Sequence, residues 1–184
     1  GVTAGNLDSQ LAHWTVMRRP RRDDHYTPDG APGKRPDMAT VVYCQRLREA
    51  FKEDCPPLVI GGLEASLRRL AYYDYWSDKV KRPVLLDAKA DILVFGQAEL
   101  ALRELVRAMQ RAPENGDRQP IPKRPGIGVS PHFPGTSIMR KSIAGIPRVL
   151  ELPPWEDVSP MTAAGREQFA RMFREYELNA GPDG

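Results

Sequence analysis

Apolar positions along this chain fall into short runs and amphipathic stretches, separated by proline, glycine and charge. Two runs share a layout: Pro57-Leu58-Val59-Ile60-Gly61-Gly62-Leu63-Glu64-Ala65-Ser66 and Ala90-Asp91-Ile92-Leu93-Val94-Phe95-Gly96-Gln97-Ala98-Glu99. Each ends in glycine, and a glutamate opens the helical stretch that follows. Short apolar runs bounded by turn signals suit strands buried on both faces. Glycine permits a sharp turn and a close approach of ligand to backbone. The next helix starts with unpaired N–H groups that favour anions or polar ligands. An open parallel sheet builds a ligand site at its carboxyl edge in this way.

The remaining pattern fills in around these units. Asn6 is a candidate cap for a helix running to about Met17, with Leu7, Leu11 and Trp14 on one face. Residues 18–36 are rich in proline, glycine and charge and read as a long loop. Asp37 is placed to cap a second helix to about Lys52. The stretch 64–76 reads as helix and then aromatic, with Tyr72, Tyr73, Tyr75 and Trp76, and 84–89 fits helix or strand equally. The clearest helical period lies in 97–111, where Ala98, Leu102, Leu105, Val106 and Met109 share a face. Residues 113–137 read as a linker, Ile138-Met139 and Ile146–Leu150 as short edge strands, and Ser159-Pro160 as a helix start. The fold class is therefore α/β with a mainly parallel sheet, divided into 1–112 and 113–184. The opening Gly1-Val2-Thr3-Ala4-Gly5 reads as the tail of a strand entering a loop, so the first strands are expected to be missing.

Composition narrows the class. A chain of 184 residues with 41% hydrophobic and 28% charged residues is globular rather than disordered. A net charge of +3 says little about partners. Cys44 and Cys55 read as ordinary reduced thiols, which points to the cytoplasm, and no apolar run is long enough for a membrane span or a signal peptide.

Three groups of residues carry candidate chemistry. At the glycine turns these are Gly5, Asn6, Gly61, Gly62, Glu64, Gly96 and Glu99. They hold a ligand, or they close tight strand–helix connections with the glutamates capping their own helices. Gly61-Gly62 lacks the third glycine of a dinucleotide fingerprint. The basic loop, with Arg18, Arg19, Arg21, Arg22, Lys34 and Arg35, is a candidate grip on phosphate or RNA, against a solvated loop partly offset by Asp23 and Asp24. Tyr72, Tyr73, Tyr75 and Trp76 stack bases or pack the core. His25, in Asp23-Asp24-His25-Tyr26-Thr27-Pro28, partly matches the cobalamin-ligand pattern Asp-x-His-x-x-Gly. Pro28 stands where that pattern has glycine and the segment follows an arginine run, so an ordinary loop histidine is favoured. The cysteine spacing fits no common metal site and His13, His25 and His132 are scattered, so no metal ligand is assigned. No catalytic serine, histidine and aspartate arrangement is readable.

Several strings together resemble the N-terminal region of the YgiQ family. They are Gly5-Asn6-Leu7-Asp8-Ser9, His25-Tyr26-Thr27-Pro28, Gly33-Lys34-Arg35-Pro36-Asp37, the run Gly61–Arg69, Tyr73-Asp74-Tyr75-Trp76, the run Asp91–Glu99 and Glu151-Leu152-Pro153-Pro154-Trp155-Glu156-Asp157-Val158. The resemblance implies a radical S-adenosylmethionine (SAM) protein with a Rossmann-like N-terminal region, similar to cobalamin-binding domains, ahead of a barrel. That barrel carries Cys-x-x-x-Cys-x-x-Cys, whose thiolates hold a four-iron, four-sulfur cluster that binds S-adenosylmethionine. This chain has two cysteines and cannot supply that motif. Cluster and S-adenosylmethionine are thus expected in the full-length protein, and the partner of this region is its own C-terminal barrel. Whether this chain is itself an enzyme is left open. A cobalamin-binding module and an RNA-binding module are the alternatives.

Overall fold

The computed structural model describes residues 1–110, 136–138 and 150–179. The chain divides into two compact units, residues 1–69 with 84–140, and residues 70–83 with 141–184.

In the first unit, β1 (Val2–Thr3), β2 (Val59–Gly61) and β5 (Ile92–Val94) lie side by side and parallel. Their register pairs Val2 with Ile60 and Ile60 with Leu93. A further strand, β6 (Thr136–Ile138), joins β5 antiparallel, giving the order β1-β2-β5-β6. The mixed α/β class holds, with parallel pairing confined to the first three strands in that order. Between β1 and β2 run α1 (Ser9–His13) and α2 (Ala39–Phe51); α3 (Gly62–Leu67) and α4 (Val84–Asp87) fall between β2 and β5, and α5 (Glu99–Gln110) follows β5. Of residues 84–89, ambiguous by pattern, Val84–Asp87 thus form a helical turn.

Ile60 and Leu93 are fully buried at the centre of the sheet, with Cys44, Leu58, Ala65, Val84 and Ala88 around them. At about 25 cal/mol per Å2 of apolar surface, each buried aliphatic side chain contributes roughly 1.5–3 kcal/mol.

Several local expectations shift. The cap of α1 is Asp8, not Asn6: its carboxylate accepts from the N–H groups of Gln10 and Leu11. The helix stops at His13 rather than Met17, because Trp14 is extended and pairs with Pro20 in a small hairpin. α2 begins at Ala39 after Met38 in the left-handed region, and Asp37 gives it no cap. α5 buries Ala101 and Leu105 and leaves Leu102 and Val106 41% and 47% exposed. The side chain of Met109, residues 113–135, Met139 and 146–149 lie outside what the structure describes.

In the second unit, β3 (Tyr72–Asp74) and β4 (Lys79–Lys81) form an antiparallel hairpin. α6 (Trp155–Val158) and α7 (Ala163–Asn179) follow. Val158, Met172 and Ala71 centre a small core, with Phe169 and Phe173 packed edge to face. Ser159-Pro160 precedes α7 instead of starting it. Thr162 Oγ1 accepts from the Gly165 N–H at 3.2 Å, and a Cβ on Gly165 would lie 1.9 Å from the Pro160 carbonyl oxygen. Tyr72 is buried, while Tyr73 and Tyr75 are exposed.

Candidate functional site

Because β1, β2 and β5 run parallel, the turns that follow them lie on one edge. Gly5, Gly61-Gly62 and Gly96 are thereby brought together as the pattern suggested, but they are not equivalent. Gly62 has φ +84, and a Cβ there would sit 2.4 Å from Thr3 Oγ1. Its smallness is used by the protein itself, to bring α3 against the end of β1. Gly5 and Gly96 also have positive φ, but a Cβ on either would meet open space. Ser66 links two of the turns: its hydroxyl donates to the Gly62 carbonyl at 2.8 Å and accepts the Gly96 N–H at 3.4 Å. Asn6 is exposed, and its Oδ1 accepts from the Tyr26 hydroxyl. Glu99 stands exposed in the first turn of α5.

Glu64 is placed differently. It is 1% exposed, behind the edge. Its Oε2 accepts from the Ser9 N–H at 2.9 Å and the Ser9 hydroxyl at 2.5 Å, and its Oε1 accepts the Thr40 N–H at 3.0 Å. The Ser9 hydroxyl in turn accepts the Ala39 N–H at 3.0 Å. One carboxylate from α3 therefore caps the beginnings of α1 and α2, where helix dipoles favour negative charge. Arg68, one turn further along, pairs with Asp8 at 2.6 Å, lies 3.5 Å from Glu64 and donates to Gln10 Oε1 at 2.7 Å. Two carboxylates thus share one guanidinium, and helix N–H groups neutralise the rest. Burial opposes ionisation of Glu64, but the hydrogen bonds from Ser9 and Thr40 and the charge of Arg68 outweigh it and hold the carboxyl below its ordinary value. The arrangement is suited to locking three segments together. Its oxygens are occupied by protein donors, which leaves them poorly placed to meet a ligand.

The sequence reading passed over this network. Its only local signals were Glu64 and Arg68 spaced i,i+4 and the capping residue Asp8; the remaining partners are distant along the chain.

A second polar cluster organises the loop. Asp24, 2% exposed, receives a two-pronged contact from Arg35 at 2.8 and 3.0 Å and the Tyr26 N–H at 3.0 Å. The Arg35 hydrogen bonds, opposed by burial, hold the Asp24 carboxyl below its ordinary value. Arg35 also lies over the Tyr26 ring at 4.7 Å. His13 Nδ1 meets Asp37 Oδ1 at 2.6 Å, its Nε2 lies 3.3 Å from Asp24 Oδ2, and Trp14 Nε1 donates to Asp37 Oδ2 at 2.9 Å. Of the two histidines among the described residues, His13 is thus the one built into a polar cluster, while the His25 side chain is 88% exposed. Arg18, Arg19, Arg21, Arg22 and Lys34 are exposed on the loop. Among the described residues, no three His, Cys, Asp or Glu side chains gather as a metal site would require, and no helix is long and apolar enough to cross a membrane.

A family model described as Radical SAM N-terminal matches residues 1–182. The chain belongs to that family. It is 45% identical over 182 residues to a UPF0313 protein of Geobacter sulfurreducens, an alignment that covers 98% of the chain and 27% of the relative. Over 114 residues it is 60% identical to a UPF0313 protein of Vibrio vulnificus, covering 62% of the chain and 15% of the relative. Over 109 residues it is 59% identical to one of Rhodopseudomonas palustris, covering 59% and 16%. These UPF0313 proteins are the YgiQ family to which the sequence strings pointed. The chain spans about a quarter or less of the length of these relatives. No solved structure matches it.

Proposed function

We propose that this chain is the accessory region of a YgiQ-type radical SAM iron–sulfur protein, a Rossmann-like segment that shapes substrate access to a barrel carried elsewhere in the full-length protein. The observation that carries this reading is the placement of the cysteines. A cluster of the expected kind takes three thiolates, and the chain has two cysteines in all, both buried and free. Burial pushes the Cys44 thiol up to about 11, the opposite of what a ligating thiolate needs. The residues present do not fit the cluster, and no step of its chemistry is assigned to them. What the chain offers instead is a rigid sheet edge with exposed Asn6, Leu63, Gln97 and Glu99, braced from behind by Glu64 and Arg68.

The test is made in the full-length protein, reconstituted without oxygen with iron, sulfide and a reductant. Replacing both Cys44 and Cys55 with alanine should leave the iron content and the cleavage of S-adenosylmethionine to 5′-deoxyadenosine unchanged. Loss of iron from a variant whose circular dichroism is intact would overturn the reading, as would the absence of cleavage by a loaded, reduced wild-type protein.

A further inference from the structure

Away from the glycine edge, the first unit has a cleft of about 430 Å3 beside α1 and the arginine loop. We propose that this cleft and the arginines next to it bind single-stranded nucleic acid, with one unpaired base in the cleft and flanking phosphates on Arg19, Arg21 and Arg22.

The volume lies within the range of small-ligand sites. Its lining is largely apolar, and Trp14, Pro20 and Pro32 supply flat surfaces against which a base can stack. The Trp14 ring is held by its N–H bond to Asp37 at 2.9 Å. Charged side chains also line the cleft, Arg21, Asp23, Asp24, Arg35 and Asp37, and of these Arg21 and Asp23 have groups left for a ligand. Arg21 is anchored through Nε to the Leu11 carbonyl at 2.9 Å, and its terminal nitrogens have no partner among the described residues. A guanidinium fork of this kind suits phosphate. The Asp23 side chain is 61% exposed, with His25 at 3.4 Å, and can accept from the amino group of a base. The buried Asp24 is held by Arg35 and the exposed Asp37 by His13 and Trp14, so both carboxylates are already engaged by protein groups.

The arginine run is also ordered. Thr15 N–H donates to the Arg19 carbonyl at 2.8 Å, Arg18 N–H to the Thr15 carbonyl at 2.9 Å and Arg21 N–H to the His13 carbonyl at 2.7 Å. Arg18 adopts φ +55 in this turn, a costly conformation for a residue other than glycine. Among the described residues, no carboxylate pairs with Arg19, Arg21 or Arg22. A cleft for one ring favours an unpaired base over a duplex, whose base faces are already stacked. The exposed Val16 and Met17 at the tip of the same hairpin make an anionic membrane the competing partner.

The experiment measures anisotropy of labelled RNA 12-mers with the full-length protein. Three phosphate contacts to a single strand give a salt slope of about −2, so affinity should fall roughly 20-fold between 50 and 200 mM salt. Arg19→Ala and Arg22→Ala should each flatten that slope by about 0.7. Adenine and cytosine strands should bind more tightly than uracil strands, which lack an exocyclic amino group, and Asp23→Ala should erase that preference. The proposal is overturned by absence of saturable binding to folded protein. It is equally overturned if duplex, heparin or anionic vesicles bind as well as single strands, or if the base preference is missing or survives Asp23→Ala. None of these results bears on cleavage of S-adenosylmethionine, so the accessory reading stands or falls separately.

Discussion

Replacing Glu64 with glutamine keeps the shape of the side chain and removes its charge. In the native protein its two oxygens take three donors, the Ser9 N–H, the Ser9 hydroxyl and the Thr40 N–H. An amide has one accepting atom. If it faces Ser9, its NH2 points at the Thr40 N–H, leaving a buried donor unsatisfied at a cost of about 1–3 kcal/mol. The bonds that survive lose their charge assistance, roughly halving their strength. Together these give a loss of about 3–4 kcal/mol, or about 6–15 °C in melting temperature for a domain of this size. Urea unfolding followed by circular dichroism measures it, with an unchanged denaturant slope showing that the unfolding reaction is the same. Ser9→Ala should cost less alone, and the double variant should cost at least ~1 kcal/mol less than the sum. A loss below ~1 kcal/mol for Glu64→Gln, or strict additivity with Ser9→Ala, would refute the idea that this carboxylate ties α1, α2 and α3 together. The pH dependence gives a second check. Glu64 is depressed from its ordinary value of 4.5, so its stabilisation is fully present above about 4.5 and is lost as pH falls through the lower folded value. The glutamine variant should lack that part of the acid sensitivity.

Three further outcomes are expected. Gly62→Ala should destabilise by about 2–4 kcal/mol, since left-handed strain adds to overpacking against Thr3, whereas Gly96→Ala should cost only the strain, about 1–2 kcal/mol; equal melting temperatures would contradict the difference in space around the two. Asp24→Asn should speed amide exchange at Tyr26 by about tenfold or more while sparing β2 and β5, and uniform exchange across the unit would refute a local role. In native protein at pH 8, Cys44 should resist iodoacetamide until denaturant is added, because its thiol sits near 11 and its side chain is buried; rapid labelling of folded protein would count against that burial.

The apolar runs at 58–60 and 92–94 were readable as strands because a buried strand must be apolar whatever surrounds it, and glycine at 62 and 96 announced the turns because few other residues turn so sharply. The same locality failed at the helix ends. Asn6 and Asp37 are good caps by composition, yet α1 is capped by Asp8, and the first N–H groups of α2 are met by Ser9 and Glu64. Asp37 is instead claimed by His13 and Trp14, which lie far from it in sequence. A helix terminus needs any acceptor of suitable geometry, and which one reaches it depends on how segments meet. α5 shows the same limit: periodicity defines an apolar stripe, but which of its residues are covered depends on what packs there, and Leu105 is buried while Leu102 and Val106 are exposed. The sequence by itself determined the family, the strand–glycine–helix units and the absence of a third cysteine. Only the tertiary structure decided that Glu64 is a buried tie and that His13, rather than His25, belongs to the built cluster. Burial and hydrogen bonding of a charged side chain depend on partners that local pattern does not name.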